Sequence, residues 1–262
     1  MSFEREADVA REAALAAGLV IARHAAAGRR AATEKSDDNP VTAADLEANA
    51  ALGAVIRKAF PRDALLSEET IDHPARLGAS RVWIVDPLDG TKEFVAGVPQ
   101  FAVSVALVVG ERPAAACIYQ PTTRECFHAR LGGGAWLGAE RLAVSRKTSL
   151  AESLLLASRT ELARGQIEAF RALFARVEPV GSVAFKLALV AAGRADLWIS
   201  AAPKHEWDVC AGDLLVSEAG GTFRELARGE RRYNQKDLLL RPPLAAGPAR
   251  LVEEFRRFSC EA

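Results

Sequence analysis

The sequence predicts a mixed α/β protein made of two layered halves, an N-terminal half of about 1–145 and a C-terminal α/β half of about 146–262. Short apolar runs of strand-like composition crowd the later part of the first half, whereas helix and strand patterns alternate after Ser149. No Pro/Ser-rich linker and no internal repeat separates the two parts. We therefore expect a single domain, 1–262, whose halves share one interface.

Two helices are predicted at the start of the chain. Apolar residues recur at helical spacing over about 3–27, and Gly28 ends that pattern. The polar stretch 29–41 is predicted to be a mobile loop. A second helix is predicted over about 43–60, because Pro61 cannot continue it.

Alternating and apolar runs predict the remaining elements. The strands predicted in the N-terminal half cover about 64–67, 81–85, 101–109, 114–119, 125–130, 135–137 and 141–144. The glycines at 132–134 are interpreted as a hairpin turn, because no helix follows them as a dinucleotide loop requires. The C-terminal half is predicted to contain helices at about 160–176, 183–193, 208–219 and 248–258, and strands at about 153–157, 196–200, 222–225 and 238–241.

Charge and composition narrow the class of partner. The 34 basic and 34 acidic residues cancel, so no global field favours a nucleic acid polymer or an acidic membrane. No apolar stretch approaches the roughly 20 residues of a membrane helix, and acids stand where a signal peptide carries basic residues. The four cysteines show no metal-ligand spacing, which favours a reduced, cytoplasmic chain.

The strongest local signal is the hexapeptide 86–91, Asp-Pro-Leu-Asp-Gly-Thr. An apolar strand leads to Asp86, and the turn after it brings Asp89 back, so two carboxylates and a carbonyl can converge on a hard cation. Gly90 permits a tight backbone, and the amides of Gly90 and Thr91 can point at a phosphate. The alternative interpretation is an ordinary Asp-Gly turn.

Three further acidic positions stand at the ends of predicted elements. Glu68, in a Glu-Glu pair, follows a short strand, and such pairs are often solvated turns. Asp208 lies in the first turn of a predicted helix, where it could be a helix cap. Asp45 begins the second helix, where an acid also complements the helix dipole.

Taken together, these segments resemble the inositol monophosphatase superfamily, and most closely its bacterial 3'(2'),5'-bisphosphate nucleotidase branch. The resemblance covers most of the chain from about 35 to 225. It implies a layered α-β-α-β-α sandwich with the site between the halves. The matching stretches are 35–49, 66–69, 82–94, 132–145, 181–196 and 206–221.

The resemblance also implies a site with two or three Mg²⁺ ions. Glu68, Asp86 and the carbonyl of Leu88 match the ligands of one ion. Asp86, Asp89 and Asp208 match those of a second.

Catalytic and substrate-binding roles follow from the same resemblance. Thr91 and Asp45, helped by Glu68, match the groups that orient the attacking water. The substrate contacts that it implies come from Asp89, Gly90, Thr91, Ser182, Lys186 and Asp208.

The resemblance implies a Mg²⁺-dependent phosphate monoester hydrolase acting on a small molecule, as a monomer or homodimer. Residues 92–94 and 233–235 are similar to the nucleotidases, which favours the 3'-phosphate of 3'-phosphoadenosine 5'-phosphate. Lys186 would then neutralise the second phosphate, although its stem could simply pack on a helix. More residues separate Ser182 from Lys186 than in many nucleotidases, so inositol 1-phosphate and fructose 1,6-bisphosphate stay open.

Two other classes of function are weaker alternatives. A non-catalytic binding protein on the same fold would have lost a metal ligand or Thr91, and none of these is missing. A P-loop phosphoryl transferase requires GxxxxGK[ST], which the sequence lacks.

Overall fold

A computed structural model describes residues 2–36, 39–228 and 231–261. The helices in this part are α1 Glu4–Ala26, α2 Ala43–Ala59, α3 Thr91–Ala96, α4 Arg159–Ala163, α5 Glu168–Arg171, α6 Val183–Ala191, α7 Glu206–Glu218 and α8 Ala249–Glu261. None of them combines the length and the apolar composition that crossing a membrane needs.

The strands form two main sheets and two small hairpin-like pairs. Those of the N-terminal half are β1 Ala32–Ser36, β2 Asn39–Thr42, β3 Ala64–Ser67, β4 Arg81–Asp89, β5 Ala102–Val109, β6 Arg112–Gln120, β7 Glu125–Arg130, β8 Gly134–Leu137 and β9 Glu140–Arg141. Those of the C-terminal half are β10 Leu154–Ala157, β11 Arg176–Pro179, β12 Leu197–Ser200, β13 Lys204–His205, β14 Thr222–Glu225, β15 Leu239–Leu240 and β16 Leu244–Gly247.

The first sheet has the order β3-β4-β5-β6-β7-β8-β9 and is covered on both faces. Successive side chains of a strand point to opposite faces. The apolar side chains of β4 are therefore divided between two core clusters, one on each face of the sheet. Trp83 and Val85 pack in one core cluster with α1 and α2. Val82 and Ile84 pack in another with α6 and α7. An uninterrupted apolar run is therefore what a strand buried on both faces requires.

The second sheet has the order β11-β10-β12-β16-β14 and lies on the far side of α6 and α7. Its Leu156 and Trp198 join the same cluster as those two helices. Its Leu155 and Leu197 pack instead with Phe255 of α8. Helices, sheet, helices, sheet and helix thus alternate, which confirms the predicted α-β-α-β-α sandwich.

Three sequence predictions were wrong. A hairpin of β1 and β2 occupies most of the stretch predicted as a loop; residues 37–38 of that prediction lie outside the described part. The helix predicted over 160–176 is split into α4 and α5, because Gly165 has a left-handed φ of 70°, a conformation that ends a helix. Strands β11, β13 and β16 were not predicted. These strands have two to four residues, too few for a periodic signal.

Gly212 allows the two middle-layer helices to approach each other. A Cβ atom at Gly212 would lie 2.3 Å from Cδ1 of Leu187 on α6.

We expect Gly212→Ala to lower the free energy of unfolding by about 1–3 kcal/mol, as overpacking does. Gly53→Ala on α2 is the matched control, since its Cβ would meet only the flexible end of Arg57. Urea denaturation should show loss of stability in the first variant alone; equal effects would contradict this packing.

Candidate metal and phosphate site

A cleft of about 200 Å³ lies where the C-terminal end of β4 meets the N-terminal ends of α6 and α7. It brings together nearly all the residues predicted from the sequence. Those that line it are Glu68, Asp86, Leu88, Asp89, Gly90, Thr91, Ser182, Lys186 and Asp208. Asp45 does not line the cleft but is hydrogen-bonded to Thr91, which does.

The hexapeptide 86–91 forms a bulge at the end of β4. Asp86 lies opposite Ser104 and Asp89 opposite Ala102, so this strand carries one residue more than its partner. The amide of Leu88 donates to Oδ1 of Asp86 over 2.9 Å, which holds the carboxylate against its own turn. Bulges of this kind re-aim side chains near functional sites, and here both carboxylates face the cleft.

Gly90 begins α3 with a φ of 98°, in the region that glycine adopts without strain. A Cβ atom at this position would lie only 3.1 Å from the carbonyl oxygen of Gln100. Glycine is therefore required both by the backbone angle and by the close approach of the segment at Gln100 and Phe101.

Asp45 and Asp208 are placed by the same local device. Each is the third residue of its helix, and each accepts a hydrogen bond from the backbone amide of the capping residue. The amide of Thr42 donates to Oδ2 of Asp45, and that of His205 donates to Oδ2 of Asp208, both over 2.8 Å. Asp208 therefore takes part in capping its helix, as the sequence predicts, and the same hydrogen bond fixes the orientation of its carboxylate.

Asp89 is held by the C-terminal half of the chain. Its Oδ2 accepts hydrogen bonds from Oγ of Ser182 and from the amide of Ala184, each over 2.6 Å. Ser182 caps α6 by accepting from the amide of Phe185, and it has a left-handed φ of 59°. Such an angle is uncommon in a residue with a side chain. The strained serine thus ties the second half directly to a carboxylate of the first.

Gln100, which was not among the predicted site residues, holds the turn at Gly181 and Ser182 in place. Oε1 of Gln100 accepts from the amide of Gly181 and from the guanidinium of Arg159. Glu93, Ser158 and other cleft residues were likewise not predicted. No sequence motif marks Gln100 or Ser158, because only the fold brings them to the site; Glu93 lies in the matching stretch 82–94, but no role was predicted for it.

The acids of the cleft repel one another. Burial, above all, raises the pKa of Asp86 well above its ordinary value, and the charges of Glu68, Asp89 and Asp208 raise it further. Burial also raises the pKa of Asp208 to about 8, with added repulsion from Asp89 and Glu68. The site is therefore a concentration of negative charge that a cation would stabilise.

These residues fit magnesium by their chemistry. All the donors are oxygens, as hard cations require. Asp86, Asp89 and Asp208 each use one carboxylate oxygen in hydrogen bonds within the described part of the chain and keep the other for a cation. In the same part no three His, Cys, Asp or Glu side chains already converge at ligand distances. The chemistry of the donors, rather than their present spacing, is what fits a hard cation.

Thr91 and Asp45 form a pair beside these acids. The hydroxyl of Thr91 lies 3.0 Å from Oδ1 of Asp45 and 3.1 Å from the carbonyl oxygen of Leu88. Its single proton can be donated to only one of them at a time. Burial raises the pKa of Asp45, partly offset by the hydrogen bonds from Thr42 and Thr91.

Lys186 is the buried cation of the cleft, with 2 % of its surface exposed. Its Nζ donates to the carbonyl oxygens of Val180 and Ser182, over 2.9 and 2.7 Å. Burial lowers its pKa to about 8, and the charge of Asp89 opposes that shift. The lysine therefore supports the turn that holds Ser182 and also lines the cleft.

Two variants of Ser182 separate the stabilisation by its hydrogen bonds from the cost of its left-handed backbone. Ser182→Ala removes the cap and the bond to Asp89, so it should lower the free energy of unfolding by about 1–3 kcal/mol. Ser182→Gly loses the same bonds but relieves the left-handed backbone, which saves about 1 kcal/mol. Urea denaturation without divalent cations measures both. A glycine variant no more stable than the alanine variant would contradict the strain.

Comparisons with known proteins agree with this geometry. The family model described as "Inositol monophosphatase family" matches residues 3–257. A "Nus factor SuhB" of Haemophilus influenzae is 34 % identical over 258 residues, covering 95 % of this chain and 93 % of the relative. A "Fructose-1,6-bisphosphatase/inositol-1-monophosphatase" of Thermotoga maritima is 33 % identical over 200 residues, 76 % of each chain.

Solved structures show the same fold. The inositol monophosphatase of Anabaena (Nostoc) sp. PCC 7120 superimposes with a TM-score of 0.83 at 27 % identity, covering 100 % of this chain and 98 % of that one. The relatives named here do not bear the name of a nucleotidase, so the nucleotidase branch stays a prediction. The family is not in question: the chain belongs to the inositol monophosphatase family.

Proposed function

We propose that this protein is a Mg²⁺-dependent hydrolase of a small phosphate monoester, acting by direct attack of water. The observation that carries the proposal is the cluster of buried carboxylates, with the bonded pair Thr91 and Asp45 beside it. Mg²⁺ bound at two or three positions in this cluster would acidify a water and stabilise the leaving oxygen.

The residues of the chain supply orientation and proton transfer. We propose that the hydroxyl of Thr91 accepts a proton from the attacking water and passes its own to Oδ1 of Asp45, 3.0 Å away. The raised pKa of Asp45, caused by burial, favours that transfer. Glu68 would accept from the same water, and the amides of Gly90 and Thr91 would donate to the phosphate oxygens.

A polyol phosphate such as inositol 1-phosphate is the first candidate substrate. The relative from Thermotoga maritima bears a name that includes this activity. Ser158, Thr160 and Glu93 line the outer part of the cleft and offer hydrogen bonds to hydroxyl groups. No aromatic side chain lines the cleft within the described ranges, so nothing there would stack on a base.

The 3'-phosphate of 3'-phosphoadenosine 5'-phosphate, predicted from the sequence, is the second candidate. Its support is the pair of cations in the cleft, Lys92 and Lys186, which could face a second phosphate. Fructose 1,6-bisphosphate would use the same charges. Phosphate release from these three esters, compared by kcat/KM, decides among them.

The proposal extends to the location, the oligomeric state and the partners of the enzyme. We propose a cytoplasmic enzyme, monomeric or homodimeric, that binds neither a nucleic acid polymer nor a membrane; the balanced charge of the chain supports this. The Haemophilus relative is named a Nus factor rather than a phosphatase, which makes a non-catalytic binding role the alternative. The complete carboxylate set favours catalysis, because binding to a partner protein would not require it.

Asp86→Asn tests the metal assignment. The change keeps the shape of the side chain but removes its charge, so we expect kcat to fall more than roughly a hundredfold, since losing a group that merely orients a metal ligand costs 10- to 100-fold. Phosphate release in Mg²⁺ and in excess chelator measures this. Thermal unfolding without metal should be unchanged or improved, because a repelling charge is gone. Full turnover in chelator, or wild-type kcat in the variant, would refute the assignment.

Thr91→Ala is the matched control for the same cluster. We expect it to lower kcat while Mg²⁺ binding, followed by calorimetry, stays close to that of the wild type. The reason is that its hydroxyl orients the water rather than holding a cation. Weaker Mg²⁺ binding with unchanged kcat would reverse the two roles.

Lys186 should discriminate between the candidate substrates. If it binds a second phosphate, Lys186→Met should reduce kcat/KM for 3'-phosphoadenosine 5'-phosphate by about tenfold to a hundredfold, the equivalent of a charge-assisted hydrogen bond of roughly 1.5–3 kcal/mol. The loss for inositol 1-phosphate should be small. Equal losses on both esters would show that the ammonium only supports the turn at Val180 and Ser182.

A further inference from the structure

Two cysteines lie against each other outside the cleft, on neighbouring strands of the first sheet. The Sγ atoms of Cys117 on β6 and Cys126 on β7 are 3.5 Å apart. Cys117 pairs across the strands with His128, and Cys126 pairs with Tyr119, so the two cysteines are diagonal neighbours. Both contribute to the core cluster beneath α1. The carboxylate chemistry described above uses neither thiol.

The surroundings of the two thiols differ. Cys117 is fully buried, whereas Cys126 is only partly buried. The hydrogen bond from Cys117 and the charge of Arg11 on α1 lower the pKa of Cys126 to about 7, against its burial. Burial raises the pKa of Cys117 well above its ordinary value. A partly buried thiol with a lowered pKa therefore lies beside a fully buried thiol whose pKa is raised.

A cavity lies next to this pair of cysteines. It has a volume of about 270 Å³ and lies between α1 and strands β7 and β8. Arg11 and His128, which neighbour the two cysteines, both line it. Neither cysteine lines the cavity itself, so a peroxide would approach the partly buried Cys126 past Arg11 and His128.

We propose that Cys117 and Cys126 are a reversible dithiol–disulfide modification site that reacts with peroxides. An accessible sulfur next to a second thiol is the arrangement of redox-sensitive cysteines. The 3.5 Å separation requires the sulfurs to move together by about 1.5 Å to reach the S–S bond length of about 2.05 Å. This site is independent of the proposed phosphatase activity.

The reaction balances in two steps. The thiolate of Cys126 attacks one peroxide oxygen, the O–O bond breaks, and a sulfenic acid and hydroxide form. Cys117 then attacks the sulfenic sulfur, the S–O bond breaks, and the departing hydroxide takes the Cys117 proton as water. Two electrons pass from the sulfurs to the peroxide, and a thiol reductant reverses the change.

Mass spectrometry after peroxide treatment tests the site. The full chain would carry Cys260→Ser, which leaves three thiols, and would be treated with hydrogen peroxide at pH 7 and alkylated with a maleimide after denaturation. We expect the mass before alkylation to fall by the two hydrogens lost, and the maleimide count to fall from three to one. The remaining adduct should lie on Cys210, which is buried on α7. A reductant should restore all three adducts.

Variants separate the two steps. Cys117→Ser should leave Cys126 as a sulfenic acid that a 1,3-dicarbonyl probe traps, whereas Cys126→Ser should leave Cys117 unreactive. Arg11→Gln should slow disulfide formation by roughly three- to tenfold, because less Cys126 would be thiolate, and Arg11→Lys should restore the rate. A trapped sulfenic acid without a disulfide in the parent chain, or oxidation of Cys210 as fast as Cys126, would overturn the proposal.

Discussion

Mutual repulsion among buried carboxylates is the constraint around which the site is built. Asp86 has only 2 % of its surface exposed, and it lies in the field of Glu68, Asp89 and Asp208. Left to themselves such groups would separate or take up protons. Here each aspartate is restrained by one hydrogen-bonded oxygen, and the donors come from different elements. Within the described part of the chain, the second oxygen of each aspartate is left to bind a cation.

The sandwich provides the rigidity that this arrangement demands. The middle layer, α6 and α7, packs on both sheets through one continuous apolar cluster. Because α7 carries Asp208 and the start of α6 carries Ser182, the layer that joins the sheets also delivers half of the site. The other half of the site lies at the end of β4, a strand that is buried on both faces. Close approach at Gly212 keeps the two helices together.

The sequence predicts the carboxylates of the site better than it predicts the residues that hold them in place. Asp86 and Asp89 lie in a contiguous motif after an apolar strand, which a local pattern reveals. Asp45 and Asp208 begin helices, where an acid has an ordinary capping role, so only the family resemblance predicted them as site residues. Gln100 and Ser158 escape detection because their positions at the site depend on a fold that brings distant segments together. The hairpin of β1 and β2 and the strand β16 were missed for a related reason: short strands are specified by their partners rather than by periodicity.

The most direct measurement is a calorimetric titration of the metal-free chain with Mg²⁺ at pH 6 and pH 8, in buffers of different ionisation enthalpy. Without metal the pKa of Asp208 is raised to about 8 by burial and by neighbouring charges, so the acid is largely protonated at pH 6. Cation binding must then displace a proton. We expect saturable binding that releases protons at pH 6 and is tighter at pH 8. Absence of saturable binding, or binding with the same affinity and no proton release at both pH values, would contradict a carboxylate cluster built to hold magnesium.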